Sequence, residues 1–377
     1  MASYVIITGE YPPQRGGVAD YTHLVARELI ESGEQVEVWA PRAGEFPVAA
    51  STVPRVCRVS GRFNPLDLVV LDRMLEKHRP DRVLIQYVPH AFGFKAMNLP
   101  FCLWVMKAAR RHAVWIMFHE VAFPISRRQP IRHNTLGVVN RVMARILSHS
   151  AKRIFVSTPS WRTLLKTVAP SAVEAEWLPV PSNVRRCSSR CGCAHIEVPF
   201  FSALTVIGHF GTYGPAISRT LRAVVPEVLE SIPGSCLMAM GNKSPAFAKS
   251  LIDQMPELRS RVYATGFVEE HALSHYLRSC DVMFQPYPDG VSGRRTSVMA
   301  ALAHAISVVT TTGRLTEDIW MTSKAVAIAD AHDAEALADQ LRKLVLDRTE
   351  RTHLSERGYS LYCNRFHIRH TINALRN

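Results

Sequence analysis

The chain alternates between short runs of β-branched and aromatic residues and longer stretches with an apolar residue at every third or fourth position. The short runs predict strands at Tyr4–Thr8, Val36–Ala40, Val83–Tyr87, Val114–Phe118 and Arg153–Ser157. Between them the longer period predicts helices at Val18–Ser32, Phe101–His112 and Thr135–His149. The pattern stops near Leu178-Pro179-Val180-Pro181-Ser182-Asn183, passes through a polar segment rich in Cys and Arg, and then resumes. The second series has strands at Thr205–Phe210, Cys236–Met240, Arg261–Thr265, Asp281–Gln285 and Ser307–Thr310. Its helices are Ser218–Ser231, Glu269–Cys280, Arg294–His304 and Ala334–Leu346. Strands separated by amphipathic helices form βαβ units with parallel sheets and right-handed crossovers. The expected fold is therefore α/β: two doubly wound Rossmann-like domains joined by a linker around 180–200, with a ligand cleft between them.

At 377 residues the chain is long enough for two such domains. Its 45 Lys and Arg exceed its 32 Asp and Glu by 13, which favours an anionic partner. The basic residues are spread along the chain and no nucleic-acid module is visible, so nucleic acid is not expected. Ser126–His133, ahead of the helix at Thr135–His149, alternates basic and apolar residues, which leaves open peripheral contact with an anionic membrane, a grip on an acidic acceptor, or a plain solvated loop. Eight cysteines are too few for a disulfide scaffold at this size. No leader and no apolar run of about 18 residues opens or crosses the chain, so a cytoplasmic protein is expected. Cys187, Cys191, Cys193 and His195 crowd the linker, but their spacing matches no structural zinc site, and a variable insertion is the expectation there.

Three stretches carry candidate chemistry. Gly9–Tyr21 contains Gly16-Gly17 between the first strand and a helix; adjacent glycines permit positive φ and bare amides at a helix N-terminus, where an anion is favoured. The stretch is neither G-x-G-x-x-G nor a P-loop, and a plain strand-to-helix turn remains open. His119 lies just beyond the strand Val114–Phe118, on the side where open α/β sheets hold ligands. The third stretch runs from Tyr263-Ala264-Thr265-Gly266-Phe267-Val268 through Asp281-Val282 to the loop Tyr287–Arg295. There two arginines meet the start of a helix and call for an anion to offset their repulsion with its dipole. Solvated surface arginines are the alternative.

Together the three stretches resemble retaining GT-B glycosyltransferases of the family-4 type. The opening Tyr-Pro-Pro…Gly-Gly-Val-Ala-Asp-Tyr is similar to that family's N-terminal motif, and Thr265–Val268, Asp281-Val282 and Asp289–Ala303 look like its donor site. The resemblance implies an N-terminal acceptor domain over 1–182, a linker over 183–199, a donor domain over 200–358, and a C-terminal helix over 359–377 (about Ser360–Leu375) returning to the first domain. It implies sugar transfer from a nucleotide-diphosphate sugar without a metal or other cofactor, to a saccharide, lipid-linked or small-molecule acceptor, in cell-surface polysaccharide or glycoconjugate synthesis. By position, Gly16 and Gly17 would approach the donor phosphate, His119 would stand near the reacting sugar, Gly211 and Thr212 lie in the donor-binding loop after the first donor-domain strand, and the Phe267 backbone would meet the nucleobase. Asp289 stands where the family has the first of two glutamates, and the amides of Gly290, Val291 and Ser292 would line sugar and phosphate.

The second glutamate is replaced by Ser297, a weaker partner for ribose hydroxyls. The family's Arg and Lys pair is replaced by Gly211-Thr212-Tyr213-Gly214-Pro215, so Arg294 and Arg295 are expected to neutralise the diphosphate, with Arg219 and Lys243 in reserve. Two rival readings follow: a GT-B epimerase or hydrolase, and a non-catalytic sugar-nucleotide binding protein.

Overall fold

The computed structural model describes residues 1–14, 16–42, 54–59, 61, 63–127, 129–186 and 204–377. Contacts divide the chain into two units, Met1–Pro179 with Ile368–Asn377, and Val180–His367. Each is built on one wholly parallel sheet.

In the first unit the strands are β1 (Ser3–Thr8), β2 (Gln35–Pro41), β3 (Arg55–Val59), β4 (Arg82–Tyr87), β5 (Val114–Phe118), β6 (Arg153–Val156) and β7 (Ala175–Trp177). They lie in the order β3-β2-β1-β4-β5-β6-β7, with Ile6 opposite Val38 on one side and Leu84 on the other. The helices are α1 (Gly17–Glu31), α2 (Pro65–His78), α3 (Leu99–Ala108), α4 (Ile131–Ser150) and α5 (Pro159–Val168). Val5, Ile7, Val83, Ile85, Ile116 and Phe118 point from the sheet into an apolar core shared with α2, α3 and α4. A strand covered on both faces reads as an unbroken apolar run, which is why the central strands were visible in the sequence.

In the second unit the strands are β8 (Thr205–Phe210), β9 (Ser235–Met240), β10 (Val262–Ala264), β11 (Val282–Gln285), β12 (Ser307–Thr312) and β13 (Ala327–Asp330), in the order β10-β9-β8-β11-β12-β13. Its helices are α6 (Pro215–Ser231), α7 (Ser244–Gln254), α8 (Glu270–Arg278), α9 (Thr296–Ala303), α10 (Asp318–Thr322), α11 (Ala334–Leu346) and α12 (Arg348–Leu361). Leu221, Val225, Leu237, Phe284, Leu337 and Leu341 form its core. Asp281 is structural: its carboxylate accepts the amide of Val206 at 2.8 Å and pairs with Arg351 at 3.5 Å.

The expected C-terminal helix over Ser360–Leu375 is corrected to two pieces. α12 ends in a π-turn at Tyr362–Phe366, His367 turns extended at ψ 141°, and α13 (Ile368–Arg376) then packs into the first unit. The chain end is held by its carbonyls. Tyr4 Oη donates to Leu375 O at 2.6 Å, Arg153 to Ala374 O at 2.7 Å, and Arg82 to the carbonyls of Leu375 and Arg376. Cations at a helix C-terminus offset its negative pole, and both arginines also lie over the Trp115 ring, at 4.5 and 4.9 Å.

α4 starts at Ile131 rather than Thr135, because Pro130 provides the helix boundary. α3 ends at Ala108, four residues short of the expected His112. The cluster Cys187, Cys191, Cys193 and His195 lies outside the described residues.

Candidate functional site

In a doubly wound sheet the loops part where the strand order reverses, leaving a crevice at the carboxyl edge. That point falls between β1 and β4 in the first unit, and between β8 and β11 in the second.

In the first unit Gly16 is the N-cap residue of α1 and Gly17 its first residue, and no side chain caps this N-terminus. Gly16 does not use the positive φ that a glycine permits: its φ of 177° is extended backbone open to any residue. A Cβ there would stand 2.6 Å from the Glu10 carboxylate, so a side chain at this position would displace the end of Glu10. Gly17 has open space around it. His119 follows β5 and is buried. Its Nε2 meets Gln86 Oε1 at 2.8 Å, the Tyr21 ring stands edge-on at 4.8 Å, and its carbonyl accepts from Ser157 Oγ and Trp161 Nε1. Burial pulls its pKa down to about 3, so the ring is neutral at physiological pH.

In the second unit Gly211 and Thr212 follow β8, Lys243 follows β9, Phe267 follows β10, and Asp289–Ser292 follow β11. All stand at the carboxyl edge of one sheet. Thr212, Lys243, Arg219 and Phe267 are exposed, Phe267 by 53%. Asp289 pairs with Arg314 at 3.0 Å. Ser297 exchanges a hydrogen bond of 2.6 Å with Tyr287 Oη. The Arg295 guanidinium lies 4.5 Å from the Tyr287 ring centre, and burial pulls its pKa down from the ordinary arginine value.

Two expectations for this loop are corrected. The amides of Gly290 and Val291 are not free donors, because they bond to Tyr287 O at 3.0 Å and Thr311 O at 2.8 Å. The arginines are not in the first turn: α9 begins at Thr296, with Arg295 at its N-cap. Gly290 has φ 84°, and its missing Cβ lets the loop press on Gly313 and Thr316.

Sequence reasoning missed three buried polar residues at this edge, Glu317, His209 and Gln285. Glu317 accepts the Gly293 amide on both oxygens, at 3.1 and 3.0 Å, and Trp320 Nε1 at 2.8 Å; Trp320 in turn stacks on Phe366. Burial raises the Glu317 pKa, against the pull of those donors and of Arg294. His209, in β8, gives Nδ1–H to Phe284 O at 2.8 Å, which leaves Nε2 as a bare acceptor beside Gly211. His209 Nε2, both polar atoms of Gln285, Ser292 Oγ and Arg295 Nε are buried without a protein partner among the described residues. A buried polar atom left unbonded costs about 1–3 kcal/mol, so this edge is built to meet a polar ligand or ordered water. The only signal in the sequence was a polar residue near the end of an apolar run, as in Val206-Ile207-Gly208-His209 and Val282-Met283-Phe284-Gln285.

The buried histidines set an acid limit. Burial takes His209 to about 4 and His119 to about 3, both below the ordinary 6.5. Between those values the unfolded chain binds more protons than the native one, so stability is complete above pH 6.5 and is lost as pH falls toward 4. Each histidine contributes a slope of about 1.4 kcal/mol per pH unit inside that window. Urea unfolding of the whole chain from pH 7.5 to 4.5 should show this loss, and His209→Gln should flatten it; an unchanged slope would mean that the ring titrates freely.

Among the described residues no group of three His, Cys, Asp or Glu side chains could hold a metal ion, and no helix is long and apolar enough to cross a membrane. Residues 16–181 match the model of the glycosyl transferase 4-like domain, and residues 203–347 that of the glycosyl transferases group 1 family. No curated protein matches the sequence. The fold is similar to sucrose-phosphate synthase from Thermosynechococcus elongatus, with TM-score 0.74 and 14% identity over 99% of this chain and 97% of that one. It is also similar to Anabaena Alr3699/HepE in complex with UDP and glucose (TM-score 0.67, 14% identity, 99% and 98% covered). A putative UDP-N-acetylglucosamine 2-epimerase from Listeria monocytogenes is similar too (TM-score 0.62, 12% identity, 100% and 95% covered). At these identities the likeness speaks for the fold alone.

Proposed function

We propose that this chain, which belongs to the glycosyltransferases of GT-B fold, transfers a sugar from a nucleoside-diphosphate donor to an acceptor hydroxyl with retention at the anomeric carbon. The observation that carries this reading is the carboxyl edge of the second unit's sheet. There Arg294, Arg295 and the uncapped start of α9 stand together with buried polar groups that have no protein partner among the described residues. Arginines and helix amides at that edge favour a diphosphate. As the anomeric C–O bond breaks, negative charge grows on the leaving diphosphate. A guanidinium already fixed over Tyr287 stabilises that charge more than the ground state. The acceptor oxygen bonds the anomeric carbon, and its proton passes to the leaving phosphate oxygen. His119, neutral and fixed by Gln86, orients the sugar. Asp289, held by Arg314, receives sugar hydroxyls rather than acting as nucleophile. No metal or other cofactor enters this scheme. The chemistry suits cell-surface polysaccharide or glycoconjugate synthesis, with a saccharide, lipid-linked or small-molecule acceptor.

Ser297, tied to Tyr287 where the family has a glutamate, favours a second reading: a sugar-nucleotide binding protein without turnover. A thermal-shift panel of UDP, GDP, ADP, CMP and dTDP, followed by product analysis with and without acceptors, separates the readings. One nucleoside diphosphate should stabilise the chain, by about 2.7 kcal/mol at 100 times its Kd; uridine comes first, since HepE holds UDP. Stabilisation without turnover of any donor supports the binding protein, turnover without an acceptor supports an epimerase or hydrolase, and no response to any nucleotide overturns the proposal.

A further inference from the structure

The amino edge of the first unit's sheet, opposite the edge that carries His119, holds a hollow of about 390 Å³. α4 and α5 both end there, beside the first residues of β6 and β7. Ligand pockets run from about 300 to 1,000 Å³ and are mostly apolar with a few placed polar groups. Ile154, Leu165, Ala169, Ala172 and Ala175 supply the apolar wall. The wall is fixed, not loose. Ile154 pairs with Ala175 across β6 and β7, and His149 Nε2 meets Ser171 Oγ at 3.0 Å. The Ala169 and Ala172 amides bond Leu165 O and Ala169 O at 2.8 and 3.1 Å. Three alanines in such a frame leave the space unfilled.

Two polar atoms of side chains lining this hollow are buried without a protein partner among the described residues, Ser148 Oγ and Arg162 Nε. Ser148 is only 1% exposed. A helical serine commonly returns its hydroxyl to the carbonyl four residues back, as Ser150 does to Ile146 O at 2.7 Å. Ser148 does not, and a buried hydroxyl left unbonded is costly, so it calls for a partner from outside the chain. Charge narrows the choice. At the exposed mouth Arg162 gives Nη2 to the Glu174 carboxylate, and Lys166 Nζ stands 3.5 Å from the same group. Two cations against one carboxylate leave one positive charge, and Arg162 keeps its Nε–H unused.

We propose that this hollow binds an aliphatic monocarboxylate, whose carboxylate accepts from Ser148 Oγ and Arg162 Nε and whose tail lies along Leu165, Ala169 and Ala172. Both open atoms can donate, a guanidinium is the donor that suits a planar carboxylate, and one negative charge balances the mouth. An alcohol leaves that charge unmatched and an amine adds to it, so both are selected against.

The test is isothermal titration calorimetry of the full chain with hexanoate, acetate, hexanol and hexylamine, without sugar donor, so that failure leaves the transferase reading untouched. Hexanoate should bind at one site, about tenfold or more tighter than acetate, since each buried methylene is worth about fourfold. It should also bind about tenfold or more tighter than hexanol or hexylamine. Saturating UDP should leave its affinity unchanged, because the hollow lies away from the carboxyl edges of both sheets. Ser148→Ala should weaken hexanoate about tenfold with Tm unchanged or raised, because the hydroxyl it removes has no partner to lose. Ala172→Leu, which fills the hollow, should abolish binding while Tm holds. No saturable binding of hexanoate below about 10 mM overturns the proposal. So does parent-like affinity in either variant, stronger binding of hexylamine, or displacement of hexanoate by UDP.

Discussion

Replacing Arg294 and Arg295 together by alanine lowers kcat/KM for the sugar donor at least 100-fold, while Arg294→Lys with Arg295→Lys recovers only part of it. The expectation follows from where the guanidinium of Arg295 sits. It is largely buried, packed on Tyr287 and flanked by the charges of Arg294, Asp289 and Glu317, and its Nε has no protein partner among the described residues. A desolvated cation without a bonded carboxylate is costly unless an anion arrives. Removing one preorganised donor to a developing oxyanion typically costs about 3–4 kcal/mol of transition-state stabilisation, or a factor of 10²–10³. Lysine keeps the charge but loses the planar stack on Tyr287 and the forked donors that suit a diphosphate. Steady-state kinetics with the donor identified by thermal shift gives the number, and Tm of each variant separates loss of chemistry from loss of fold. Turnover equal to the parent's would show that the diphosphate is neutralised elsewhere, with Lys243 or Arg219 next to be tested.

Gly290→Ala should destabilise the second unit by about 3 kcal/mol and remove donor binding with it. Two costs add. At φ 84° an L side chain is strained by about 1–2 kcal/mol. The new methyl group would also overlap Thr316 Oγ1 and the Gly313 amide, and would stand 2.9 Å from Gly313 Cα. The neighbouring loop cannot simply retreat: Gly313 N is bonded to Thr316 Oγ1 at 3.0 Å, and Leu315 N to Asp289 O at 2.9 Å. Overpacking against backbone of this kind costs about 1–3 kcal/mol. Because Asp289 and Arg314 pair across the same two loops, separating them also moves the Asp289 carboxylate. Urea unfolding reports the stability and nucleotide titration the binding. Parent-like values in both would mean that the two loops shift apart at little cost.

Much of the fold was legible because a parallel strand buried on both faces announces itself as a continuous apolar run. β4, β5, β9 and β11 were found within a residue or two of their ends. The edge strands β7 and β13 were not, being short and only half covered. α12 was missed for a related reason: it buries only Leu354 and Gly358, so it shows no apolar stripe. The site loops were placed from their position after strands, a property of order along the chain. Their hydrogen bonding was not legible. Whether the Gly290 amide points outward or back to Tyr287 depends on a turn that many sequences could adopt.

By itself, then, the amino-acid order determined two parallel sheets and which loops gather at their carboxyl edges, because hydrophobic periodicity and right-handed crossovers are properties of short stretches. Only the tertiary structure decided which donors and acceptors those loops leave unbonded. Glu317 reaches the Gly293 amide across 24 residues, and His209 reaches Phe284 O across 75. It also turned the apolar and basic positions of α4 outward together, since which side of a helix is covered depends on what packs against it. Pairings between distant segments depend on the packing of the whole unit, and no local pattern encodes them.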